Sequence, residues 1–181
     1  MTQEQIQINN IYKTLGVSLI TSGVTFAKGT YKVSPVISTF SSVQNALSKV
    51  ELNFPATQLD NWYAYLSWQD WQEVLPTIIN LMKNFPWTAE YFDCDNRANM
   101  VLNFANLLTG TNSIGRAYVE IYNKTTGTLV GLHYCNLIVD KDQNVYLFDI
   151  DNGGGTSTQI LFDTPITIGN WLYSIKSAVF F

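Results

Sequence analysis

The chain has 181 residues, of which 46% are hydrophobic and 14% aromatic but only 13% charged, with a formal net charge of −4. That balance excludes a disordered chain and requires a folded, aromatic-rich core. The ten Lys and Arg residues are scattered, so no basic stripe exists to neutralise nucleic acid. No run of about 18 apolar residues and no basic amphipathic helix points to a membrane.

In chain order, Ile8, Ile11, Tyr12 and Leu15 mark a short amphipathic helix over residues 3–15, ended by Gly16. Residues 17–36 are β-branched and interrupted by Gly23, Gly29 and Pro35, which reads as short strands and turns or an extended arm. A second short helix is expected over 41–52. Across 58–84, Trp62, Tyr65, Leu66, Trp68, Trp71, Leu75, Ile78, Ile79 and Met82 recur at three- and four-residue intervals. That predicts helix, broken or kinked in two by Pro76, with the tryptophans packed in a core. The clearest helix spans 93–108, where Ala98, Val101, Leu102, Ala105 and Leu108 form one stripe. Asp93 or Asp95 stands at its start, and Gly110 at the capping position.

Three strands follow, over 116–122, 128–139 and 144–150, separated by the turn sequences Lys124–Gly127 and Lys141–Gln143. Sequential strands with short turns form an antiparallel meander. Asn152–Gly155 is a loop, and the apolar tail from Trp171 to Phe181 is expected to return to the sheet as helix or strand. Helices followed by strands give an α+β class. Residues 1–52 read as an N-terminal arm or subdomain and 53–181 as the core; a continuous domain over 1–181 is the alternative.

The chemistry concentrates in three residues. Cys94 stands at the predicted start of the central helix, where unpaired amides favour a thiolate and can hold an oxyanion. Asp93 and Asp95 beside it oppose the thiolate. His133, the single histidine, lies in the second strand and is the natural base near neutral pH. Asp149 sits between Phe148 and Ile150 in the next strand. Pairing across the Lys141 turn brings it near the level of His133, where it would fix the imidazole tautomer. Cys135, two residues from His133, faces the same side of its strand. A Cys94–Cys135 disulfide is thus conceivable, but two cysteines make no scaffold and no signal peptide is recognisable, so free thiols are expected.

The segment Phe92-Asp93-Cys94-Asp95-Asn96-Arg97-Ala98 resembles the Asp-Cys-Asp-Asp-Phe/Tyr-Ala signature of bacterial transglutaminase-like cysteine proteinases. It is also similar to the papain-like peptidase domain of certain fungal agglutinins and to phage-encoded relatives. Gly131-Leu132-His133-Tyr134-Cys135-Asn136 and Tyr146-Leu147-Phe148-Asp149 occupy the places of the histidine and acid strands. The resemblance covers about residues 91–152. It departs at Asn96, Arg97 and Tyr134, and Thr88 stands where a papain-like enzyme has its oxyanion-hole Gln, so the second oxyanion donor is unassigned.

The resemblance implies a papain-like or transglutaminase-like fold, in which a helical part with the cysteine helix packs on an antiparallel sheet. It implies a cysteine hydrolase or acyl-transferase, foremost a peptidase, acting on amide bonds of a protein or peptide substrate through Cys94, His133 and Asp149. It requires no cofactor. The agglutinin-type relatives imply calcium, for which Asp93, Asp95 and Asp151 offer hard oxygen ligands, although their spacing is not that of an EF-hand. The alternative from another class keeps the fold without catalysis, as a phage structural protein or an inhibitor of a host protein. A carbohydrate-binding β domain is the third reading. The expected location is intracellular, in a host cytoplasm or with a virion. No nucleic-acid or membrane partner is expected, and the oligomeric state is left open.

Overall fold

The computed structural model describes residues 35–180 apart from 40, 53–55, 90–91, 153 and 162–163. They belong to one unit, Val33–Phe181. The helix expected over residues 3–15 and all but the end of the 17–36 strand region lie outside the described residues.

The first described elements are strand β1 (Val36–Thr39), helix α1 (Ser41–Lys49), and strands β2 (Ala56–Gln58) and β3 (Trp62–Tyr65). Helices α2 (Trp68–Met82) and α3 (Cys94–Thr109) follow, then β4 (Ile114–Asn123), β5 (Leu129–Val139) and β6 (Val145–Asp149). The chain closes with β7 (Thr156–Ile160), β8 (Ile166–Ile168) and β9 (Trp171–Phe180). The main sheet runs β2-β9-β4-β5-β6-β7, with β8 on β9; β1 and β3 form a separate antiparallel ribbon. Within the main sheet the pairs are antiparallel except β2 with β9, which is parallel.

Both faces of the sheet are covered. On one face Ala117, Val119, Cys135, Leu137, Val145 and Leu147 pack in a core with Val43, Ala46 and Leu47 of α1 and with Tyr63 and Tyr65 of β3. Segment 36–52 therefore packs with the unit that carries the candidate site. On the other face α3 lies over β5, where the buried Asn136 side chain donates to the Ala98 and Gly115 carbonyls at 3.0 and 3.3 Å. Trp68 of α2 stacks on Tyr146 of β6, ring centroids 3.6 Å apart. Two covered faces explain why every residue of β6 is buried and why it lacks apolar–polar alternation.

The expected class needs correction. About 41% of the described residues are strand and 29% helix, so the molecule is sheet-dominated, and a substantial helical part against a small meander is not what forms. Residues 58–84 account for much of the difference. Trp62, Tyr65 and Leu66 have helical spacing, yet Trp62–Tyr65 is a strand that alternates exposed and buried residues. Only one helix follows. It begins at a capping box, where Ser67 Oγ accepts from the Asp70 amide and Asp70 Oδ2 accepts from the Ser67 amide. It continues through Pro76 without a break. Pro76 and Gln72, whose carbonyl loses its helical partner, are both exposed, so water replaces that bond. The segment after 155 also supplies three strands, and the apolar tail becomes β9, inside the sheet between β2 and β4.

Two glycines are fixed by this packing. Gly110 takes the left-handed conformation, φ 73°, that ends α3. At Gly115 a Cβ would lie 2.8 Å from the Val179 carbonyl and 3.0 Å from the Phe180 ring. Asn136 ties the cysteine helix to the sheet through a fully buried amide, so Asn136→Ala should cost roughly 1–3 kcal/mol, read as a lower urea midpoint with unchanged slope.

Candidate active site

The β5–β6 hairpin sets the geometry. Asp140 Oδ1 accepts the amides of Asp142 and Asn144 at 2.9 and 2.8 Å, closing the turn. That turn fixes the register from Val139↔Val145 to Asn136↔Phe148. One step further Asp149 falls opposite Cys135, and His133 becomes its diagonal neighbour on the same face. His133 Nε2 lies 3.0 Å from Asp149 Oδ2.

Asp149 is 0% exposed and is surrounded by donors. Besides His133, the Tyr173 hydroxyl of β9 donates to Oδ2 at 2.7 Å. The amides of Asp151 and Asn152 donate to Oδ1 at 2.8 and 3.1 Å, and the Asn152 side chain to Oδ2 at 3.2 Å. Burial works hardest against the carboxylate, but the His133 hydrogen bond and charge, with the other donors, hold its pKa below the ordinary value. The same carboxylate pushes the Tyr173 hydroxyl pKa up, after burial.

Cys94 begins α3 and is half-buried. Its sulfur lies close enough to the His133 imidazole to influence its protonation. Burial alone would lower the His133 pKa, but the Asp149 hydrogen bond, then the Cys94 sulfur, and their charges raise it to about 9. An imidazolium held beside the sulfur is the charge that a thiolate needs. With Nε2 turned to Asp149, Nδ1 is the nitrogen left for proton exchange with the thiol. The three predicted residues are thus brought together in the predicted order.

The acids beside the nucleophile behave differently from the sequence expectation. The Asp93 pKa is raised first by a hydrogen bond to the Asp95 carboxyl and then by burial. The hydrogen bond to Asp95 makes the Asp93 carboxyl easier to protonate than an ordinary aspartate. For calcium, Asp93, Asp95 and Asp151 do not converge as a set. Among the described residues, the group of three potential ligand atoms within 4.8 Å of one another is His133, Asp149 and Asp151. Its nitrogen donor and its saturated Asp149 fit a hard cation poorly. Asp151 instead accepts from Arg97 Nε at 2.5 Å, and burial, partly offset by Arg97, raises its pKa.

Two participants escaped sequence reasoning. Tyr173 looked like one more apolar tail residue, and only the β9 register brings its hydroxyl to Asp149. Arg97 carried a signal: it is a cation inside the buried stripe of α3, next to Ala98, and such a group demands partners. It finds Asp151 and the Phe85 carbonyl. Thr88 is bridged by backbone bonds to Phe92, and its hydroxyl turns to the Pro86 carbonyl. Both cysteines are free thiols, and burial pushes the Cys135 thiol pKa well up. No described helix is long and apolar enough to cross a membrane.

No protein-family model matches the chain, and no curated protein shows significant similarity to it. Two solved structures share its fold. One is titled a PSL1a–E64 complex, with TM-score 0.51 and 19% identity over 80% of this chain and 51% of that one. The other is the Polyporus squamosus lectin bound to a human-type influenza-binding epitope, with TM-score 0.52 and 19% identity over 80% of this chain and 49% of that one. The chain spans about half the length of both. These likenesses correct the expected fold class. The fold is shared with part of a lectin structure, in place of the expected papain-like or transglutaminase-like architecture, and neither title describes a cysteine protease or hydrolase.

The geometry makes His133 the spectroscopic reporter of the site. As the single histidine, its imidazole NMR signals should titrate near pH 9, and Asp149→Asn should move the midpoint down. A folded-state pKa above the ordinary 6.5 means that the imidazolium's stabilisation is complete below about pH 6.5 and lost as pH rises through about 9. Urea midpoints should fall across that window in the wild type, and less so in His133→Gln.

Proposed function

We propose that this chain is a cysteine-dependent acyl-transfer enzyme acting on amide bonds, with Cys94 as nucleophile, His133 as acid and base, and Asp149 as its orienting carboxylate. The observation that carries this reading is the buried hydrogen bond between the His133 imidazole and the Asp149 carboxylate, with the Cys94 sulfur at the start of α3 close enough to act on the same imidazole. The Cys94 sulfur attacks the carbonyl carbon, and its proton resides on His133 Nδ1. The oxyanion that forms meets the Cys94 amide at the start of α3. His133 returns the proton to the departing amine as the carbon–nitrogen bond breaks, leaving a thioester. Water or a second nucleophile, deprotonated by His133, then takes the acyl group and releases the thiol.

The sheet edge supports an amide-bearing substrate. The Val139 amide donates to the Ser113 carbonyl on the β4 side, so by alternation the backbone groups of His133 and Cys135 also face β4. Those of Leu132 and Tyr134 face the other way, where the β6 ladder has already ended at Asn136↔Phe148. An extended peptide could add to that edge immediately beside His133.

The test is alkylation at neutral pH. Iodoacetamide should modify Cys94 rapidly, leave buried Cys135 unmodified, and slow at least about tenfold in His133→Ala. E64, an epoxide that alkylates thiolates and is named with PSL1a, should leave one adduct, on Cys94. Slow labelling of Cys94 that ignores the loss of His133 would refute the triad. With a mixed peptide library read by mass spectrometry, wild type should cleave or transfer acyl groups and Cys94→Ala should not.

The lectin title favours a second reading, in which the chain binds carbohydrate. It is compatible with the first, because it needs none of the three triad residues.

A further inference from the structure

A groove of about 740 Å³ runs along the outer side of α3, within the size range of small-ligand sites. One wall is the helix itself, through Asn99, Asn103 and Asn106 with Leu102 between them. The opposite wall comes from Asp60, Asn112 and Arg116. At about 100° per residue, the three helix asparagines project roughly 120–180° around the axis from Cys94. The groove is therefore separate from the triad.

The residue choice is unusual for a solvated helix face. Asn is a poor helix former because its side chain competes for backbone bonds, and Glu, Lys or Gln would serve solubility better. Three of them along one face weaken the helix with no return in packing. The side chains differ in how far they are already used. Asn112 is a fixed part of the wall: its Oδ1 accepts the Ala64 amide at 2.8 Å, and its Nδ2 donates to Asp60 Oδ2 and the Trp62 carbonyl, both at 3.1 Å. Arg116 is oriented by Asn99 Oδ1 at 3.4 Å and by the Tyr134 ring, 4.9 Å from its centroid. Asn103 is exposed, and its amide has no partner within the described chain.

The chemistry of the ligand follows from this lining. A carboxamide offers a donor and an acceptor side by side, the pattern that matches adjacent hydroxyls, each of which both donates and accepts. Asp60 and Arg116 carry opposite charges, so the groove selects for neither anion nor cation. Leu102 supplies an apolar patch for a C–H face, and Trp62, 64% exposed, borders the groove through its backbone. We infer that this groove is a binding site for a neutral oligosaccharide, held by Asn99, Asn103 and Asn106. The inference rests on the carbohydrate reading and adds its location and ligand class.

Titration calorimetry of the full chain with chitotriose, maltotriose and N-acetyllactosamine tests it. At least one should bind, and Asn103→Ala and Asn106→Ala should each weaken binding about tenfold or more. Ala is the better helix former, so the melting temperature of Asn103→Ala should hold or rise, whereas Asn106→Ala also gives up the bond from Asn106 Nδ2 to the Thr111 carbonyl at 3.4 Å and should stay within a few degrees of wild type. Cys94 labelling by iodoacetamide should be unchanged. Binding that both variants retain at full strength would overturn the site while leaving carbohydrate binding intact. Absence of binding by all three sugars would overturn both.

Discussion

A carboxylate with no exposure to water needs donors, and the centre of this molecule is arranged to supply them to Asp149. Five hydrogen bonds reach its two oxygens, from β5, from β9 and from Asp151 and Asn152 in the loop after β6. An ionised group at that depth would otherwise cost several kcal/mol or take up a proton. Once the charge is secured, it orients His133, keeps the imidazolium favourable, and extends electrostatic support to the sulfur beyond. The carboxylate is also where distant parts of the chain are joined, since Tyr173 reaches it from a strand that begins more than twenty residues later.

The sheet and the helix contribute different things to the pairing of Cys94 with His133. The hairpin closed by Asp140 supplies register, and a slip of one residue would turn His133 or Asp149 to the wrong face. The helix supplies field: the positive end of its dipole lies at Cys94. Asn136 connects the two, because its side chain joins the first turn after Cys94 to β4 and β5. Arg97 and Asp151 add a second clamp between the helix start and the loop after β6.

How much of this was legible in the sequence depended on whether local pattern decided the outcome. The three strands from 114 to 149 carried their own turn sequences, and the helix from Cys94 carried both an apolar stripe and a terminating Gly110. The triad was legible because its members lie in those well-marked elements, with the register set by one short turn. Trp62–Tyr65 was misread because three- and four-residue spacing of aromatics can come from a strand joined to a helix. Pro76 was misread because its lost bond lies toward solvent. Tyr173 was hidden because its role depends on β9 pairing with β4, a long-range pairing with no local mark. The expected fold class failed for the same reason: a signature near Cys94 speaks for about sixty residues, whereas the fold is decided by β2, β7, β8 and β9 outside it.

Helix α3 serves two demands that pull against each other. Its first turn holds Cys94 near His133, which favours a stiff, well-formed helix. Its outer face carries Asn99, Asn103 and Asn106, each a weaker helix former than Ala by about 0.5–0.7 kcal/mol. Intrinsic propensity therefore does not hold this element together. Burial of Ala98, Val101, Phe104 and Ala105 does, through roughly 25 cal/mol for each Å² of apolar surface removed from water. Because the packing stripe fixes the helix against the sheet, the outer face is free to vary without disturbing Cys94. A helix stabilised this way can carry a reactive end and a polar binding face at once, and the two can change independently.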